Sequence, residues 1–144
     1  MPTLDSYIFF DGNCAEAMRF YERVTGGKML MMLKYSDSPV PHDPRMCAPS
    51  DMDRVMHANL VIDGRSLMAS DTPAGQFKPM QGFSLSLTYD TPEEAKTKFD
   101  MLADGGSVQV PFGPTFWSKG FGMVVDKFGT HWMVGGGAVH PQQG

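Results

Sequence analysis

The sequence has no run of charge of one sign: 12 Lys and Arg are set against 16 Asp and Glu, for a net charge of −4. Without a basic stretch to meet a phosphate backbone, nucleic acid is excluded as a partner. Long apolar runs are also missing, and nothing approaches the roughly 20 residues needed to cross a bilayer. The opening "MPTLDSYIFF" has no charged segment leading into an apolar one, so a cytoplasmic protein without membrane contact is expected. Cysteine is scarce. Cys14 and Cys47 are too far apart for a CxxC pair and read as reduced thiols. The common enzyme signatures are absent as well: there is no GxSxG elbow, no phosphate-binding GxxxxGK followed by Ser or Thr, and no GxGxxG at a strand-to-helix turn.

Methionine, by contrast, is plentiful. Its 13 copies outnumber leucine, and a flexible thioether suits either an irregular core or an adaptable binding surface. The 144 residues suffice for one compact domain or for two small modules.

The pattern favours two modules. In "SYIFFDGNCAEAMRFYERVTGG" (6–27) an apolar strand runs into a helix. Asn13 stands at the cap with Glu16 three residues on, and Cys14, Met18, Tyr21 and Val24 recur at helical spacing up to Gly26-Gly27. "FSLSLTYD" repeats the plan. Thr91-Pro92-Glu93-Glu94 supplies cap, first-turn proline and carboxylate, Ala95, Phe99 and Leu102 point inward, and Gly105-Gly106 ends the helix. Asp11 and Asp90, Phe20 and Phe99, and Gly26 and Gly105 all stand 79 positions apart, which points to an internal duplication.

Three strands follow each helix: "GKMLMMLKYS", "MHANLVI" and "SLMAS" in the first half, "SVQVPF", "FGMVVD" and "THWMV" in the second. Asp63-Gly64 predicts a tight hairpin, and "DKFGT" predicts a longer one turning at Gly129. The prolines at 39, 41, 44 and 49 predict an irregular loop over 36–53, and "GGGAVHPQQG" reads as a frayed tail. The expected fold class is α+β, with one domain over 1–144 built from two βαβββ modules at about 4–71 and 82–136.

"YIFFDGNCAEAMRFYERVTGG" and "TFWSKGFGMVVDKFGTHWMV" resemble the opening and closing signatures of the PhnB-like branch of the vicinal-oxygen-chelate superfamily, over residues 4 to 135. That superfamily holds glyoxalase I, bleomycin-resistance proteins, fosfomycin-resistance enzymes and extradiol dioxygenases. The resemblance implies that each module curves its strands into a half-cup with the helix on the convex side, and that homodimers are common. It also implies a divalent ion held by His and Glu or Gln. Carried over, the ligand positions fall at Ser6 or Tyr7, at Met68, at Ser84, and at Met133. A hydroxyl or a thioether is a poor ligand for such an ion, so neither metal nor cofactor is expected. Proteins of this branch are sometimes labelled ubiquinone-related methyltransferases, yet nothing here resembles a βαβ unit for S-adenosylmethionine.

A relocated centre drawn from His57, His131, His42 and Cys47 is the alternative, since His131 and Met133 share a strand face at period two. His57 reads as a general base or as a backbone-bonded strand-end histidine. Trp117 and Phe116 read equally as a stacking wall and as plain hydrophobes, Trp132 as core, and Lys119 and Arg65 as the candidates to hold an anion. Ser84, Ser86 and Thr88 alternate with Leu85, Leu87 and Tyr89, which would turn three hydroxyls toward the cup. The expectation is a metal-free cup, lined by Ser6, Ser84, Ser86, Met68, Trp117 and Met133, that binds a small, largely apolar molecule. The alternatives are a divalent-metal lyase, isomerase or dioxygenase-like enzyme using His57 and His131, and a dimeric interaction module with a filled cup.

Overall fold

The structure is a computed structural model that describes residues 1–38 and 51–139. It divides into two compact units, Met1–Lys78 and Pro79–Gly144. Among the described residues no helix is long and apolar enough to cross a membrane.

In the first unit β1 (Ser6–Phe10) leads into α1 (Cys14–Thr25), then β2 (Lys28–Lys34), a 3-10 turn (Tyr35–Asp37), β3 (Val55–Ile62) and β4 (Arg65–Asp71). The sheet order is β1-β4-β3-β2, with β1 parallel to β4 and the other neighbours antiparallel. The helical stripe expected from the sequence is the core. Cys14, Ala17, Met18, Tyr21 and Val24 are all 0% exposed, and each large member stabilises the unit by about 1.5–3 kcal/mol through burial. Asp63 and Gly64 both take positive φ, at 47° and 77°, so the hairpin between β3 and β4 is the tight one that this dipeptide favours.

The start of α1 differs from the sequence expectation. Asn13 is the capping residue by position, but its side chain makes no capping bond. Asp71, from the far end of β4, does the work instead: its Oδ1 accepts the Gly12 and Cys14 N–H groups at 2.8 and 3.0 Å, and its Oδ2 accepts that of Val55 at 2.9 Å. A carboxylate at the positive end of the helix is favourable, and this one also ties β3 to the β1–α1 turn. Most of the proline-rich segment, 39–50, lies outside the described residues.

The second unit repeats the plan with β5 (Leu85–Tyr89), α2 (Pro92–Ala103), β6 (Ser107–Gly113), β7 (Ser118–Val125) and β8 (His131–Ala138), in the order β5-β8-β7-β6. Here the cap is as expected, with Thr91 Oγ1 accepting the Glu94 N–H at 3.2 Å and Ala95, Phe99 and Leu102 buried. Trp132 is core at 2% exposure, and its Nε1–H donates to Asp126 Oδ2 at 2.8 Å. Oδ1 of the same aspartate accepts the Phe128 and Thr130 N–H groups, holding the "DKFGT" hairpin closed.

The segment read as a frayed tail is partly sheet. Gly135 and Gly136 pair with Thr88 and Tyr89 on β5, and Ala138 pairs with Ser118 on β7. Glycine is required there by close approach: a Cβ on Gly136 would run into the Thr91 carbonyl and the Ala95 methyl. The run "GGG" thus lets the start of α2 lie directly on β8.

Two buried acids make the fold sensitive to alkali. Burial, and then the Asp71 charge, push the Cys14 thiol well above its ordinary value of 9.0. Burial, and then Glu94, push the Tyr89 phenol above 10.0. Both groups hold their protons to higher pH in the folded chain than in the unfolded one, so their contribution is complete below about pH 9 and is lost as pH rises. The urea midpoint is therefore expected to fall above about pH 9, the Cys14 thiol adding a slope of up to about 1.4 kcal/mol per pH unit. Cys14→Ala should flatten the first part of that fall; an unchanged slope would show that other groups cause it.

Candidate functional site

Each sheet has one face against its helix and one face turned away from it. On β1, Ile8 and Phe10 are 2% and 1% exposed, whereas Tyr7 and Phe9 alternate to the other side at 39% and 51%. Directly paired residues share a face, and the pairs Tyr7–Met68, Met68–Asn59 and Asn59–Met31 run one row across all four strands on the side away from α1. Ser6, the other first-strand candidate, pairs with the buried Leu67 and so lies on the helix side.

The second unit carries the equivalent row: Ser86 pairs with Met133, Met133 with Met123, and Met123 with Val110. Ser84 precedes β5, so it is Ser86 that stands across from Met133. Thr88 pairs with Gly135 and Gly135 with Phe121, one step along the same face. Trp117 lies edge-on to Phe121 with centroids 5.3 Å apart, and Phe116 edge-on to Trp117 at 4.8 Å. Exposures of 42% for Trp117 and 79% for Phe116 leave this aromatic group open rather than in the core.

The two histidines have different surroundings. Nδ1 of His57 is 3.2 Å from the Tyr7 hydroxyl, and the two rings stack with centroids 5.7 Å apart. His131 lies on the Met133 side of β8, and its Nε2 meets the Met80 carbonyl at 3.1 Å. A carbonyl only accepts, so Nε2 of His131 carries a hydrogen. Arg65 opens β4 opposite Ile62, Lys119 lies on β7, and both are exposed. His42 and Cys47 lie outside the described residues.

The first row offers a phenol, thioethers and an amide, the second a hydroxyl and thioethers, and neither contains a carboxylate or an imidazole. Neither row fits the divalent ion that the resemblance implies, because such ions select carboxylate and imidazole ligands. Among the described residues, no three His, Cys, Asp or Glu side chains gather closely enough to hold a metal ion.

Sequence reasoning missed three residues here: Tyr7 as the partner of His57, Asn59 in the middle of its row, and Phe121 behind Trp117. Period two marks Tyr7 and Phe121 as facing away from the helices, but only the strand order puts β1 two strands from β3, and His57 within reach of Tyr7.

Comparison with known proteins agrees with this architecture. Residues 3–135 match the family model described as 3-demethylubiquinone-9 3-methyltransferase. Protein YjdN of Escherichia coli strain K12 is 37% identical over 139 residues, covering 93% of this chain and 94% of that protein. The crystal structure of protein PA1353 from Pseudomonas aeruginosa is 43% identical with a TM-score of 0.83, covering 95% of this chain and 98% of that one. The PhnB protein from Bacillus cereus is 28% identical with a TM-score of 0.74, covering 92% and 97%. Two βαβββ modules, matched by a family model over nearly the whole length, place the chain in the PhnB-like 3-demethylubiquinone-9 3-methyltransferase family.

Proposed function

We propose that this chain is a metal-free, cytoplasmic, homodimeric binder of a small, largely apolar molecule, held on the strand faces turned away from the helices. The observation that carries this reading is the make-up of the two rows: thioethers, a phenol, an amide and a hydroxyl stand where the fold elsewhere presents metal ligands. Such a surface gives apolar contact and hydrogen bonds without fixed charge, and methionine adapts its shape to what it holds.

The test is elemental analysis of untagged protein purified without chelator after growth with Mn, Fe, Ni and Zn, followed by sedimentation of the same sample. The expected result is substoichiometric metal and a dimer. A stoichiometric ion that is lost on chelation or in His131→Ala would overturn the reading in favour of a metal-dependent lyase or isomerase with relocated ligands.

A further inference from the structure

The face of the first unit turned away from α1 holds a feature that folding alone does not explain. Asn59 Oδ1 is buried and has no hydrogen-bond partner. A buried acceptor left unpaired is destabilising, and an apolar side chain of similar shape would remove the penalty. The residues directly across from Asn59 on either side are Met68 and Met31, whose unbranched thioethers can swing aside at little cost and open the way to that oxygen.

On the same face lies the Tyr7–His57 pair, with Phe9 5.2 Å from the Tyr7 ring. A neutral histidine and a tyrosine carry one polar hydrogen each, and their mutual bond uses one of the two. One donor therefore remains, on the phenol or on Nε2, beside an aromatic patch. The paired residues of this row, Tyr7, Met68, Asn59 and Met31, include no charged side chain.

A group that satisfies both ends must donate to Asn59 and accept from the Tyr7–His57 pair, which a hydroxyl does and an amine or an ether does less well. We propose that this face recognises a neutral aromatic alcohol of the phenol class, its ring against Tyr7 and His57 and its hydroxyl donating to Asn59 Oδ1. The inference rests on the apolar-binder reading above and names the ligand class for it.

The test uses protein labelled at its methionine methyls and two probes of matched shape, 2-naphthol and 2-methylnaphthalene, which differ in the hydroxyl. Titration is followed by the Met31 and Met68 methyl signals. In the native protein 2-naphthol is expected to bind roughly tenfold more tightly than 2-methylnaphthalene, about what one hydrogen bond to a waiting acceptor contributes. Asn59→Leu should bring the ratio of the two affinities to about one and raise the thermal midpoint of the free protein. A residue with a purely structural role would lower the midpoint on replacement and leave the ratio of the two probes alone. Asn59→Ala, which removes the same oxygen with a smaller side chain, provides the same comparison if Asn59→Leu does not fold. Equal binding of the two probes, or an Asn59→Leu protein that keeps the preference, would overturn this inference while the apolar-binder reading stands. If neither probe moves the Met31 and Met68 signals, this inference falls, and if the Met123 and Met133 signals are silent too, the apolar-binder reading falls with it.

Discussion

Asp71→Ala is expected to destabilise the protein by about 3–5 kcal/mol, the loss typical when a buried charged partner is removed from groups that depend on it. The carboxylate is 2% exposed and accepts three backbone N–H groups, from Gly12, Cys14 and Val55. Alanine leaves all three without that acceptor, two of them in buried surroundings where water does not replace it. The loss reaches past the helix start, because the Val55 bond fixes the first residue of β3. Urea denaturation should show the lower midpoint with an unchanged m value, and amide exchange should quicken at Cys14 and Val55. Asn13→Ala is the contrast. A capping Asn side chain is worth about 1 kcal/mol, but this one makes no capping bond, so its replacement is expected to cost less than about 0.5 kcal/mol. Equal losses from the two variants would show that Asp71 is not the cap.

Gly136→Ala is expected to cost about 3 kcal/mol, at the upper end of what one added carbon in a packed interior costs. The new methyl would meet the Thr91 carbonyl and the Ala95 Cβ, both fixed by α2 and its cap, and neither is the movable tip of a long side chain. Relief requires the start of α2 to lift from β8, which loosens the burial of Ala95 and Phe99. Gly113→Ala, where a Cβ would find nothing within 4 Å, should stay near neutral. A Gly136→Ala protein as stable as the native one would mean that α2 slides on the sheet without cost, and the tail could then be read as the sequence alone suggests.

These two variants mark where sequence reasoning stopped short. Asn13 and Glu16 have the spacing of a capping box, and local spacing is all that a sequence displays, whereas the group that caps α1 arrives from 57 residues away. "GGGAVH" has the composition of a tail, yet Gly135–Gly137 are strand, and at Gly136 and Gly137 the start of α2 lies against the backbone. Ser84 is the fifth-strand position that the resemblance implies, but β5 begins at Leu85 and it is Ser86 that pairs with Met133, a register only the assembled sheet displays.

By itself the sequence determined the two strand–helix–three-strand repeats, the core stripe of each helix, the hairpins at Asp63-Gly64 and Gly129 and the burial of Trp132. All of these follow from periodicity and turn chemistry, which act between residues close in the chain; the family came separately, from the resemblance of the two signature stretches. Only the tertiary structure decided which strands are neighbours, and hence that Tyr7 meets His57, that Asn59 sits unpaired between two methionines, and that Asp71 reaches the start of α1. Those contacts depend on strand order and register, and pairing between distant segments is set by the joint packing of the whole sheet rather than by any local pattern.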